Sequence, residues 1–193
     1  MFGNVLNNNQ IMHLCEKQDL IIEPFDKGKL KLAHYALTPA SVLWLGEVNP
    51  KGFRQETLRH AFRNGDDYTF ASNEYAVVEI QEFIKLRDGL FGHFVPASIL
   101  IDQGFSITAG KIDPQYGGLK GQRQIIRFGI KNLQDKENIL SARQNIAHVY
   151  FVDLRGLNNL PNQMTHQEIE FLMSRWPRYV KQQDDGPDYG TGE

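Results

Sequence analysis

The chain has little of what marks a disulfide-bonded, metal-bound or membrane protein. Of its 193 residues one is a cysteine, Cys15, so neither a disulfide framework nor a thiolate metal site is available. No apolar run approaches the length that crosses a bilayer, and no signal-peptide pattern opens the sequence, so a cytoplasmic protein free of membranes is expected. The six histidines (His13, His34, His60, His93, His148, His166) are scattered, with no spacing of the H-E-x-x-H kind, so no resident metal is expected. A basic excess is missing as well. A net charge of −2 and a pI near 6.3 argue against nucleic acid as a partner, because backbone binding needs a cationic surface. They leave room for a small phosphate pocket.

Much of what is present reads as strand. YAVVEI, EFIKL, FGHFV, SILI, FSITA, QIIRFGIK, NILSA and NIAHVYFV follow one another from residue 75, each rich in Val, Ile, Phe or Tyr and separated by Gly, Asp or Asn. Helices do not alternate with them, so the pattern predicts an antiparallel barrel or jelly roll rather than a doubly wound parallel sheet. Ile11, Leu14 and Cys15 fall at helical spacing behind asparagines that can cap, which predicts a short N-terminal helix. LIIEPF at 20–25 reads as a strand stopped by Pro24. Residues 48–73 are polar and turn-rich and read as a surface excursion with a short helix around 55–63. Thr165 and Glu168 form a capping box ahead of Ile169, Leu172, Met173 and Trp176, a helical stripe that Pro177 ends. The expected organisation is a β domain over 1–160 and a C-terminal helix with a polar tail over 161–193.

AGKIDPQYGG at 109–118 is a turn by composition: an acid before proline, a tyrosine, then paired glycines. Its setting gives it a sharper reading. FVPASILIDQGFSITAGKIDPQYGG, residues 94–118, resembles the central signature of the dCTP deaminase and trimeric dUTPase superfamily. IIEPFDKGKLKLAHYAL and EYAVVEIQEFIKLRDGLFGHFVP upstream, RQNIAHVYFVDL downstream and RYVKQQ in the tail resemble further segments of that family, in order. The resemblance implies a mainly β fold, a distorted jelly roll of the dUTPase-like type. It also implies a homotrimer with active sites between subunits, and a deoxynucleoside triphosphate, dCTP or dUTP, carried with Mg2+.

Residue by residue, the resemblance puts Asp113 beneath the deoxyribose as a catalytic acid, accepting the 3′-hydroxyl and, as in dUTPases, orienting the attacking water, with Gly110 and Ile112 in the same substrate-binding turn. It packs the Tyr116 ring on the sugar, where one extra hydroxyl is rejected sterically. Ser98 stands at a catalytic serine of the phosphate loop. Arg178, Tyr179 and Gln182 stand at the lid positions that close over the triphosphate.

Several positions depart from the family. Ala97 and Asp102 replace arginines that would grip phosphate through a bidentate fork. Ala36 replaces an acid that helps hold Mg2+ in dUTPases. Gly129 falls on the glutamate that moves protons in deamination, and no Asp or Glu occurs from 114 to 134. His148 stands where the family carries glutamine and reads as a core or interface residue. Three readings follow: a hydrolase that deaminates dCTP to dUTP or splits dUTP, a catalytically impaired nucleotide-binding sensor or interaction module, and a scaffold with a vestigial pocket. The N-terminal I-x-P-F-D stretch and the tail favour the deaminase branch.

Overall fold

Two five-stranded antiparallel sheets face each other in a computed structural model that describes residues 4–50, 54–63, 65–87, 89–108, 110–114 and 125–155. The expected C-terminal helix and tail, with Arg178, Tyr179 and Gln182, lie outside the described residues, as does Tyr116. In chain order the elements are β1 (Asn4–Val5), α1 (Asn8–Glu16), β2 (Leu20–Glu23), β3 (Tyr35–Leu37), β4 (Pro39–Val48), β5 (Arg54–Ala61), β6 (Asp67–Phe70), β7 (Tyr75–Ile80) and β8 (Phe83–Leu86). β9 (Leu90–Pro96), α2 (Ser98–Asp102), β10 (Phe105–Thr108), β11 (Lys111–Ile112), β12 (Arg127–Asn132), β13 (Asn138–Ser141) and β14 (Ala147–Asp153) complete them.

One sheet runs β1-β14-β9-β11, with β3 also on β14; the other runs β10-β12-β7-β4-β5. Two-stranded ribbons, β13-β6 and β2-β8, flank them. Strand alternation sends one face of each sheet inward. Phe94 of β9 meets Phe128 of β12 edge to face at 5.1 Å, which joins the two sheets across the core. Val149 and Phe151 of β14 and Ile130 of β12 are fully buried on the same inner faces. The mainly β architecture of antiparallel sheets is therefore as the strand pattern predicts.

The N-terminal helix is also present. Asn7 accepts the Gln10 backbone N–H at 3.0 Å, Gln10 returns the bond to the Asn7 N–H at 3.0 Å, and Ile11 and Leu14 are buried. Behind β8, Glu82 is buried but satisfied: it accepts from Lys29 Nζ at 2.7 Å and from the Thr38 hydroxyl at 2.9 Å and N–H at 3.1 Å.

Two elements differ from the sequence reading. Residues 54–61 form β5, not a helix, because the segment pairs antiparallel with β4 on both sides of two register shifts, Leu58 opposite Leu43 and Thr57 opposite Trp44. Ladder pairing outweighs the modest helix propensity of RQETLRHA. SILI, read as a strand, is the helix α2, in which Leu100 alone turns inward while Ile99 and Ile101 stand 47% and 57% exposed. A strand of that sequence would have to bury alternate side chains. No helix among the described residues is long and apolar enough to cross a membrane.

Candidate functional site

The 109–118 turn is held by its first residues. β11 pairs antiparallel with β9, Lys111 opposite His93 and Ile112 opposite Gly92. Gly92 is what lets Ile112 enter the core, since a Cβ at 92 would lie 2.6 Å from Ile112 Cγ2 and 3.0 Å from Val149 Cγ2. Ile112 is 2% exposed, so it anchors the turn from below. The chain leaves β11 at Asp113, half-buried, whose Oδ2 lies 2.9 Å from Lys111 Nζ. Gly110 faces open space; a Cβ there would meet nothing within 4 Å.

Gly110, Lys111 and Ile112 line one cleft of about 170 Å³ together with Phe94, Ile125, Ile126, Arg127 and Phe128. Three of the predicted residues, Gly110, Ile112 and Asp113, are thus brought together. Ser98 is not joined to them: it is exposed in the first turn of α2, and among the described residues no hydrogen bond links it to Asp113. The helix begins at Ala97, which is 2% exposed and offers no side-chain cap, so the loop that would grip phosphate presents Ser98, Ile99 and Asp102 instead of arginines.

Lys111 and Arg127 are the site cations that the sequence reading missed. Arg127 is committed: its Nη1 lies 2.7 Å from Glu56 Oε1, its Nε and Nη2 lie 3.1 and 3.0 Å from Glu79 Oε1, and Ser41 Oγ bonds the same Glu79 carboxylate. The i, i+2 spacing of Arg127 and Gly129 on one strand face would have flagged it.

Gly129 is the decisive position. It sits mid-strand on β12, opposite Thr108 of β10 and Val77 of β7. A Cβ added there would run into the Tyr75 hydroxyl and come within 2.5 Å of Thr108 Oγ1. Thr108 Oγ1 already accepts the Gly129 N–H at 2.9 Å and donates to its carbonyl at 3.2 Å. No side chain, and so no carboxylate, fits at this position while Tyr75 lies over it. The acid nearest in register on that face is Glu79, opposite Arg127, and it is held by Arg127 and Ser41.

Ala36, at the family's metal-binding acid, is fully buried on β3 opposite His148. Among the described residues no group of three or more His, Cys, Asp or Glu is placed to hold a metal ion. The residues present do not fit a protein-held Mg2+. Burial first, then Glu16, pushes the Cys15 thiol up to about 11, which favours its protonated form at neutral pH. A larger cleft of about 620 Å³ runs along α1 and β2, lined by Met12, Leu20, Ile22 and Phe25 together with Glu16 and Glu23.

A family model described as dCTP deaminase-like matches residues 5–154 of the chain. No curated protein matches the sequence. Among solved structures, 2′-deoxycytidine 5′-triphosphate deaminase from Agrobacterium tumefaciens is similar in fold, with a TM-score of 0.56 and 12% identity over 91% of this chain. The chain spans 54% of that enzyme's length. A dUTPase mutant from phage phi11 of S. aureus, described with a structural Mg(II) ion, gives 0.46 and 14% over 76% of this chain and 95% of its own. EIAV dUTPase gives 0.41 and 16% over 68% of this chain and 96% of its own.

Proposed function

The chain belongs to the dCTP deaminase-like family, and from that premise we propose that it binds a deoxynucleoside triphosphate, dCTP or dUTP, in a homotrimer without deaminating it. The observation that carries this reading is the closed space at Gly129. Deamination at C4 of cytosine needs a group that takes a proton from water and returns one to the leaving amine. Losing such a group typically removes about 10²–10⁴-fold of rate. Here the strand position that would supply it has no side chain, and Tyr75 and Thr108 fill the space above it. Ala36 likewise leaves the dUTP-splitting reading without its metal-holding acid.

Asp113, Gly110 and Ile112 support the binding half. The Asp113 carboxylate, next in the chain after the cleft-lining Ile112, is a pure acceptor suited to a sugar hydroxyl, and the open space at Gly110 admits a ligand close to the backbone. Tyr116, two residues beyond Pro114, is assigned to the sugar face on the resemblance. Ser98 serves the phosphate side of the pocket from a neighbouring subunit, and Arg178, Tyr179 and Gln182 are assigned to the triphosphate on the resemblance alone. Mg2+ arrives bound to the phosphates, since the described residues offer it no cluster of acids.

The test is a paired measurement on the full chain: calorimetric binding of dCTP, dUTP and CTP with Mg2+, and chromatography of the same mixtures after prolonged incubation. The expected result is deoxynucleotide binding with no dUTP, dUMP or pyrophosphate formed. Accumulating dUTP would overturn the silent reading, and absence of binding to any nucleotide would overturn the pocket.

A further inference from the structure

The cleft of about 620 Å³ along α1 and β2 shares no lining residue with the cleft beside the 109–118 turn. Two stripes of α1 are apolar. Ile11 and Leu14 turn into the core. Met12 and Cys15, three apart and half-buried, line the cleft together with Glu16. Leu20 and Ile22 of β2, 1% and 4% exposed, form its floor, and the half-buried Ile21 lines it as well. Phe25 lines it too and keeps 41% of its surface in water. That ring is held from behind: the buried Tyr35 lies against it, centroids 5.5 Å apart, and the Tyr35 hydroxyl accepts the Asp26 N–H at 2.8 Å. An exposed aromatic ring fixed in this way suits an anchor for a partner's side chains, because it loses little freedom on contact.

The charge on the lining has one sign. Glu16 and Glu23 line the cleft with the neutral Gln18, and its described lining residues include no Lys, Arg or His. The Cys15 thiol, inside the cleft, feels that field, since Glu16 adds to burial in raising it. Glu16 itself is exposed, so water solvates its carboxylate at the edge of an apolar surface. A wholly apolar segment laid there would strip that water and return nothing. Anionic headgroups and nucleic-acid phosphates are repelled by the same charge. A cation set among apolar side chains meets both demands. Its apolar neighbours cover Leu20, Ile22 and Phe25, and the cation faces Glu16.

We propose that this cleft docks a short segment of another protein in which a lysine or arginine stands between bulky apolar side chains. Phe25 is the anchor, Met12 adapts its flexible side chain to whatever it meets, and Glu16 selects for the cation. The volume lies in the range of about 300–1,000 Å³ that ligand clefts take, so the docked segment is short. The site stands without the nucleotide reading, because it uses none of Ser98, Gly110, Ile112 or Asp113.

Titration of short peptides bearing an uncharged fluorophore with the full chain, followed by anisotropy, gives the test. The probes are Leu-Lys-Phe-Leu-Lys-Leu, the same peptide with glutamate for lysine, and the same peptide with serine for leucine and phenylalanine. The first is expected to bind about tenfold more tightly than either of the others. Glu16→Lys, at an exposed position of α1, is expected to reverse the order of the lysine and glutamate peptides. Phe25→Ala is expected to weaken the first peptide about tenfold, as loss of an aromatic anchor does. Urea midpoints of both variants report that the fold is kept. Cys15, the one cysteine of the chain, localises the contact: its alkylation by iodoacetamide at about pH 9 is expected to slow when the lysine peptide is bound. Equal affinities for the lysine and glutamate peptides, an unchanged order in Glu16→Lys, or alkylation that the lysine peptide leaves unaltered would overturn the docking site. Alkylation that slows with chain concentration in the absence of peptide would give the cleft to a second copy of the chain, and would overturn it equally.

Discussion

Asp113 has one cation, Lys111, at 2.9 Å, and both partners are partly open to water, so their pairing does little for stability. Asp113→Asn keeps the shape and removes the charge. It is expected to leave the unfolding midpoint in urea nearly unchanged and to weaken deoxynucleotide binding by about tenfold, the worth of one hydrogen bond to a charged group. Equal affinities in calorimetry would remove Asp113 from the site. Gly129 makes the opposite case, a residue whose role is to be small. Gly129→Ala drives a methyl group into Tyr75 and Thr108, and overpacking of that kind costs about 1–3 kcal/mol. Tyr75→Ala in the same chain is expected to return most of that loss, since the two residues share one space. Additive losses in urea unfolding would show that the ring does not close the position. Asp113 and Gly129 are legible in the sequence, because a turn motif and a missing acid are local facts. Tyr75 is not, because only the register of β7 against β12 places it over Gly129.

At the scale of the element, hydrogen-bond partners decide where propensity is weak. α1 carries its own start signal, Asn7 and Gln10 in reciprocal bonds, and its position follows from the sequence. Asn7→Ala is expected to cost about 1 kcal/mol, the usual worth of such a cap, read as a lower urea midpoint with the β-sheet signal retained. A midpoint equal to that of the unchanged chain would show that packing of Ile11 and Leu14 alone holds the helix. β5 and α2 carry no such signal. RQETLRHA becomes a strand because β4 offers a ladder, and SILI becomes a helix because the Ala97 carbonyl accepts the Leu100 and Ile101 N–H groups at 3.0 and 3.4 Å. β5 depends on where another strand lies, which periodicity within the segment does not encode. The same limit hid the pairing of His34 with His148, two of six scattered histidines until β3 and β14 are aligned.

At the scale of the whole molecule, one charge cluster ties remote parts of the chain. Asp19, between α1 and β2, accepts Arg87 Nη1 at 2.7 Å from the end of β8 and Arg155 Nη1 at 2.6 Å from beyond β14. Arg155 also holds Asp153 through Nε at 3.0 Å and Nη2 at 2.8 Å. The guanidiniums of Arg87 and then Arg155 hold the Asp19 carboxyl below its ordinary value, and Arg155 does the same for Asp153. A carboxyl that is more acidic folded than unfolded stabilises the fold above the unfolded value of about 3.9 and loses that contribution as pH falls through the folded value. The half-buried imidazoles of His34 and His148, held below their ordinary value first by burial, act in the same direction higher up the scale. Their folded values lie below about 6.5, so the unfolded chain takes up the proton first and stability declines as pH drops below that point. The chain should therefore lose stability in two steps on acidification. Arg155→Met is expected to lower stability at pH 7 and to flatten the lower step, leaving the upper one in place. His148→Gln is expected to flatten the upper step and leave the lower one. Urea unfolding from pH 7.5 to 3 separates them, and a variant that shifts the whole curve without changing either slope would show that its side chain contributes packing rather than charge.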